Sequence, residues 1–465
     1  MSLINFSHTV LEQSLAYPDK IAYRDGHVDL KYSDIPKRVR QIAHGFALSG
    51  LRRGDHVIIQ MEDCVDWPCT FLACLYANII PLPLSGNLGP DLFNKIAEFI
   101  ECKLVITRDI VQTFYNLTDH LEPVMVHPDS AAWMNVSSGS TGMPKVAVHR
   151  HQTLFEILKL SPLLSFGMTH NSTILSVAKM SWNFGLHNSV TYTMGLGATA
   201  ILIPDAPAAP VIFDYLNRYR PEIVVSSPSI IRRLLLPAVR KYTLPDSIKH
   251  FNSSGEHLPD VMYDQFLERF GIQLHSCIGM METCTNYAAN PDFAHDPGTV
   301  GQALPGCEIK LIDDEIYVSS PANACYYYKN YEKTKQTFVG EWVRTGDRGY
   351  YNERGNLVFG GRVDDVFKVN DLIVNPVEIE VEIMRDITVD QVAIAKVTNS
   401  RGINEVHAFI VPTVDFNLEE FKASIKTKLF PHQMPQQIHI VDKLAETATN
   451  KKHRRGMANS VTVLP

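Results

Sequence analysis

The sequence predicts an α/β protein with a large N-terminal body and a smaller α+β C-terminal cap, on three observations. Its 465 residues allow about three domains or subdomains at roughly 150 residues each. Up to about residue 278, short β-rich runs alternate with helical patterns, as mostly parallel sheets require. From residue 300 the strands crowd together between turn residues, which reads as an antiparallel barrel or meander.

The first strand runs are HVIIQM (56–61), KLVITR (103–108), TILSVAK (173–179), ATAILIP (198–204), EIVVSSP (222–228) and IQLHSC (272–277). Between them, 34–48 and 259–270 repeat apolar residues every three or four positions, the pattern of helices laid on a sheet. CEIKLI, EIYVSS, GEWVRTGDRGYY and GNLVFGGR form the close-spaced strands. After Arg362 the chain restarts with FKV, LIV, a helix near 377–384, VAIAKV and HAFIVP. The boundary falls at 360–365, dividing the chain into a body, 1–361, and a cap, 362–465.

Composition removes several function classes. Apolar residues make up 45% and charged residues 20%, which excludes a disordered polymer or a coiled coil. The net charge is −7, and the one basic run is 451–455, so no nucleic-acid partner is expected. The most apolar stretch, 71–84, is broken by Asn78, Pro81 and Pro83 and is too short to cross a bilayer. No membrane partner is expected. The start, MSLINFSHTV, lacks a basic segment and long apolar run, which makes the cytoplasm the expected compartment. Eight cysteines, at 64, 69, 74, 102, 277, 284, 307 and 325, form no CxxC pair and are expected to be buried free thiols.

The most informative segment follows the strand-like AAWMNV: Ser137, Ser138, Gly139, Ser140, Thr141, Gly142, Met143, Pro144, Lys145. Its glycines reach backbone angles closed to other residues, its hydroxyls and N–H groups can wrap an anionic oxygen, and Lys145 adds a point charge. It is not a Walker A loop, because Pro144 stands where the second glycine would be. Composition alone also admits a flexible Ser/Gly linker.

SSGSTGMPK resembles the phosphate loop of the adenylate-forming superfamily: acyl- and aryl-CoA synthetases, adenylation domains and luciferases. Further motifs in the superfamily's order extend the resemblance from about residue 8 to 456, nearest to benzoate-type aryl-CoA ligases and aryl-acid adenylating enzymes. It implies a body of two packed, mostly parallel α/β subdomains plus a small β-barrel, with a mobile cap turning about a hinge at Asp364. Ser253-Ser254-Gly255-Glu256-His257-Leu258-Pro259 resembles the loop beside adenine, and by itself reads as a helix N-terminus with Pro259 in the first turn. Ile278-Gly279-Met280-Met281-Glu282 resembles the motif whose glutamate holds Mg²⁺, with Thr141 as a second ligand. Arg344-Thr345-Gly346-Asp347 resembles the element whose aspartate takes both ribose hydroxyls, with Phe359 and Arg362 near the nucleotide. Alone these would be surface charges and turns. The tail from Leu444 to Arg454 aligns with the motif that ends in the catalytic lysine, which falls on Lys451; composition alone admits a solvated basic tail.

The resemblance further implies ATP and Mg²⁺ as cofactors and activation of a small carboxylic acid as an acyl-AMP. Transfer follows to the thiol of coenzyme A or of a carrier-protein phosphopantetheine, in a monomer or homodimer. Two alternatives stay open: an adenylation enzyme loading a separate acyl carrier protein, and a non-catalytic nucleotide-binding relative. The acid pocket falls on Trp182, Asn183, Phe184, Gly185 and Thr285. Trp182, Phe184 and the methionines suggest a flat apolar slot for an aromatic acid. Asn183 falls where aryl-acid enzymes often bind an ortho substituent, or it bonds backbone. Val146, Met281, Asp371 and Asn450 depart from the pattern, at a glycine, threonine, glycine and glycine respectively. Met281 is expected to narrow the acid pocket, and Asp371 to weaken the thiol step.

Overall fold

Nine strands make the central sheet, in the order Gln302–Ala303, Asn286–Ala289, Leu274–Gly279, His250–Ser253, Ile223–Ser226, Thr173–Ser176, Thr199–Ile201, Ile21–Arg24 and Asp29–Lys31. The six consecutive strands from Leu274–Gly279 to Ile21–Arg24 run parallel, and the outer neighbours are antiparallel. The computed structural model describes residues 2–86, 88–137, 144–160, 167–204, 207–290, 296–445 and 452–462.

A second, three-stranded parallel sheet orders Ile80–Pro83, His56–Ile59 and Leu104–Ile106. Pro81 and Pro83 are tolerated there because their strand is at the edge, where a missing N–H breaks no ladder. The apolar run 71–84 is thus a buried helix end, an Asn78 left-handed cap and this edge strand. Among the described residues no helix is long and apolar enough to cross a membrane. The helix Ile35–Leu48 buries Ile35, Val39, Ile42, Ala43 and Phe46, the one-sided stripe its spacing predicts. Trp67, Phe71 and Trp133 belong to the large apolar core they share.

Glu308–Ile312, Glu315–Ser319, Phe338–Val339, Trp342–Tyr351 and Leu357–Arg362 form an antiparallel five-stranded sheet, as the close spacing predicts. Beyond Arg362 come the hairpin Phe367–Val369/Leu372–Val374 and the sheet Val389–Thr398, Asn404–Pro412, Gln437–Ile440, with helices Pro376–Met384, Leu418–Lys428 and Arg454–Thr462. These residues bury an apolar cluster of their own around Val374, Ile379, Ile394 and Phe421.

Two expectations need correction. Cys325 is exposed and Cys102 partly exposed, while the other six cysteines are buried. Both outliers lie just before edge strands, Tyr326–Tyr327 and Leu104–Ile106. Pro259 stands at the extended N-cap position just before the helix Asp260–Phe270 and not in its first turn.

Candidate active site

Glycine-rich chemistry is set at the end of a hairpin. Ala131–Ser137 pairs antiparallel with Lys145–Arg150, and Ser137 lies opposite Lys145. Ser138, Gly139, Ser140, Thr141 and Gly142 lie outside the described residues, as do the side chain of Ser137 and all of Lys451 and Asn450. Tyr326–Tyr327 adds a third strand against Ala147 and Val148. This brings Tyr327 beneath Lys145, whose Nζ stands 5.4 Å from the ring centroid. The Tyr327 hydroxyl donates to Glu282 Oε1, and Glu282 is buried. Burial lowers the Lys145 ammonium, and the Glu282 carboxylate opposes that shift. Lys145, Glu282 and Tyr327 therefore form one charged cluster at the end of the hairpin where the 138–144 connection begins and returns. Met281 packs against the Ala147, Ala324 and Tyr327 cluster. That places it beside Tyr327, on the Lys145 side, two residues past the end of the strand at Gly279.

The second group sits where two antiparallel strands meet. Asp347 lies opposite Arg362, and Arg362 Nη1 donates to Asp347 Oδ1 at 2.6 Å and to the Thr345 carbonyl at 3.1 Å. Gly346 has φ +72°, and a Cβ there would lie 2.9 Å from Arg362 Nη2, so glycine keeps the arginine's path open. Arg362 is also drawn electrostatically to Glu282. His257 stacks on Phe359 with ring centroids 5.8 Å apart, next to Gly255 and to Glu256, which accepts from Ser229 Oγ at 3.0 Å. Asp364 is exposed in the short turn Val363–Asp365.

The third group surrounds 178–186. A Cβ on Gly185 would sit 2.1 Å from the Lys179 carbonyl oxygen, so the chain folds back on itself in a way only glycine permits. Trp182, Asn183 and Phe184 are partly buried at this bend. Neither amide atom of Asn183 has a hydrogen-bond partner, although both are buried, which removes the alternative that it bonds backbone. Gly279 is similarly obligatory, since its Cβ would meet the Thr285 carbonyl at 2.6 Å. Ile278 beside it is buried. Thr285 Oγ1 and the Tyr192 hydroxyl are 2.6 Å apart.

Sequence reasoning missed Tyr327, Tyr192 and Asp63. Asp63 is buried and accepts the Met180 N–H at 3.3 and 3.4 Å, with Lys179 Nζ 4.0 Å away. Burial pushes its carboxyl up to about 6, against the pull of Lys179. Its signal was present: it closely follows the C-terminal end of a parallel strand, His56–Ile59, where α/β proteins gather their sites.

The chain is 28% identical over 484 residues to the 4-hydroxybenzoate–CoA/benzoate–CoA ligase of Rhodopseudomonas palustris, covering 94% of this chain and 90% of that protein. A solved benzoate CoA ligase from Burkholderia xenovorans has a TM-score of 0.90 at 28% identity, over 98% of this chain and 100% of that one. An anthranilate CoA ligase in complex with anthranoyl-AMP has a TM-score of 0.93 at 22% identity, over 100% and 99% of the two chains, a likeness of fold. The AMP-binding enzyme family matches residues 10–328. A carboxylate–ammonium cluster at a glycine-rich hairpin and an aspartate–arginine pair beside it thus stand in a chain that belongs to the AMP-binding enzyme family.

Proposed function

We propose that this protein is an ATP-dependent acid–thiol ligase acting on a small aromatic carboxylic acid, with coenzyme A as the thiol. The observation that carries the reading is the convergence of Lys145, Glu282, Arg362 and Asp347, residues from four separate motifs, on one charged cluster. A carboxylate oxygen of the acid attacks the α-phosphorus of ATP, the α–β anhydride bond breaks, and pyrophosphate leaves. The demand is charge stabilisation at fixed geometry. Lys145 faces the departing phosphates, Asp347 exchanges its Arg362 contact for the ribose hydroxyls, and Lys451 brings a cation to the reacting phosphoryl group. The thiolate of coenzyme A then attacks the acyl carbon, and AMP departs with its bonding electron pair.

Among the described residues no group of three or more His, Cys, Asp or Glu side chains is placed to hold a metal. Mg²⁺ binds through one or two carboxylates and completes its shell with water and substrate phosphates, and the buried Glu282 carboxylate beside Lys145 suits that role. Glu282 and Thr141 would hold it, and its chemistry is to neutralise phosphate charge. The relatives' action on benzoate and hydroxybenzoate supports an aromatic acid, as does the bend carrying Trp182 and Phe184. The division into a body, 1–361, and a mobile cap, 362–465, belongs to this reading, with Asp364 as pivot.

A second reading, loading of a carrier-protein phosphopantetheine, is favoured by one feature. Asn370 and Asp371 both have positive φ, 49° and 64°, in an exposed hairpin turn, where a side chain now stands at the place of a glycine. Pyrophosphate exchange over benzoate, hydroxybenzoates, anthranilate and short fatty acids, repeated with coenzyme A, separates the readings. Acid-dependent exchange with thioester formation is expected; exchange without it favours the carrier protein. Lys451→Ala is expected to lose about 10²–10³ in exchange rate while still folding. Retained exchange would refute the placement of the lysine.

A further inference from the structure

Glu380 has no part in the chemistry above, yet among the described residues it is the most heavily bonded carboxylate in the C-terminal third of the molecule. It sits on the helix Pro376–Met384 and is 5% exposed. Its Oε1 accepts the Ile394 N–H at 2.8 Å and Arg454 Nη2 at 2.9 Å. Its Oε2 accepts Lys452 Nζ at 2.8 Å and Arg454 Nη2 at 3.0 Å. The other arm of the same guanidinium, Arg454 Nη1, donates to Asp365 Oδ2 at 2.9 Å, in the turn Val363–Asp365. One carboxylate thus fastens a helix, a strand and the tail, and through Arg454 it reaches the turn that joins the cap to the preceding strand.

Stability alone is a weak reason for this arrangement. Taking a carboxylate and two cations out of water is costly, and apolar residues of similar volume commonly hold a core as well or better. Burial raises the Glu380 carboxyl, and Lys452 and Arg454 more than offset it. What a charged network supplies that an apolar contact does not is a fixed register. The register matters here because Lys452 directly follows Lys451 in the chain. The fastened segment also lies against the body: Lys452 and Glu380 both act electrostatically on His257, whose imidazole is lowered chiefly by burial and which stacks on Phe359.

We propose that Glu380 is a positioning residue for the first half-reaction: by clamping Lys452 and Arg454, and through Arg454 Asp365, it fixes the tail relative to the pivot so that Lys451 is delivered to the reacting phosphate. The inference rests on the assignment of Lys451 made above. A misplacement of about 1 Å can cost about 10²-fold in rate, so the clamp is worth more to catalysis than its local contacts suggest.

The test compares Glu380→Gln, Lys451→Ala and the double variant in the full chain. Glu380→Gln is expected to lower kcat for acid-dependent pyrophosphate exchange about 10- to 100-fold, with KM for ATP and acid within about twofold of wild type. Thioester formation from preformed acyl-AMP and coenzyme A, which does not use Lys451, should stay near the wild-type rate. The double variant should be no slower than Lys451→Ala alone. Unchanged exchange, an equal loss in both half-reactions, or additive losses in the double variant would each overturn the proposal. Should Glu380→Gln fail to fold, Asp365→Asn cuts only the link to Arg454 and is expected to slow exchange about 3- to 10-fold; no slowing overturns the proposal equally. If Lys451→Ala retains exchange, the lysine assignment and this inference fall together; if only Lys451→Ala loses it, this inference falls alone.

Discussion

The carboxylates on the nucleotide side of the candidate site and the Asn183 amide on the acid side are treated in opposite ways. On the side assigned to the nucleotide, Glu282 is held by Tyr327 and Asp347 by Arg362. On the side assigned to the acid, both amide atoms of Asn183 are buried with no hydrogen-bond partner. A buried group with a partner is pre-aligned and can exchange that partner for a ligand at small net cost. A buried group without one carries its desolvation penalty in the free protein, of about 1–3 kcal/mol. The nucleotide-side carboxylates are therefore pre-aligned, whereas Asn183 stores a penalty that a substrate with a matching polar atom can relieve; Ser253 Oγ and His257 Nε2, in the 253–259 loop, are buried without a partner as well. The Asn183 penalty gives selectivity to the side that must discriminate among acids.

The contrast makes signed predictions, and the largest concerns Glu282. Glu282→Ala leaves the Tyr327 hydroxyl without its acceptor and removes the carboxylate facing Lys145. Both effects destabilise the free protein, by about 1–3 kcal/mol, and exchange activity should fall about 10²–10³. Denaturant unfolding and an exchange assay over a range of Mg²⁺ check this together. A variant as stable and as active as wild type would place the metal site elsewhere.

Asn183→Leu should behave in the reverse sense. Removing two unpartnered polar atoms is expected to stabilise the free protein by about 1 kcal/mol, while KM for the acid rises about 10-fold and KM for ATP is unchanged. If the leucine variant is less stable than wild type, the amide is satisfied in solution and the contrast between the two sides fails.

How much of this was legible follows the same division. Arg344 to Asp347 and Gly361 to Asp364 could be read because each packs its chemistry into four consecutive residues, and a strand pairing then sets Asp347 opposite Arg362. The alternation of strands and helices gave away the parallel sheet in the same local way. The partners that complete the site are remote in sequence: Tyr327 meets Glu282 across 45 positions, Asp63 meets Met180 across 117, and Arg454 meets Glu380 across 74. No local spacing encodes such contacts. Asp63 is the plainest case, since Glu62 beside it is exposed and the pair reads as an ordinary acidic turn.

Asp63 supplies the smallest effect and the one that depends on pH. Its native carboxyl is raised from the ordinary aspartate range to about 6 by burial, so between about pH 4 and 6 the folded chain holds a proton that the unfolded chain has released. The unfolded state binds fewer protons in this window, and stability must fall as pH rises through it, by about 1.4 kcal/mol per pH unit at most. Above pH 6 both states are ionised and the contribution is constant. Asp63→Asn cannot ionise, so its unfolding free energy should lose that downward slope, while the Met180 N–H keeps an oxygen to bond. Because Asp63 fixes the chain at Met180, directly before the bend that carries Trp182 and Asn183, KM for the acid should shift by a small factor and KM for ATP should not. Parallel slopes for wild type and Asp63→Asn across pH 4–6 would show that the carboxyl is ionised throughout. Lys179 would then be its true counter-charge, and the acid side would hold a satisfied ion pair of the kind that distinguishes the nucleotide side.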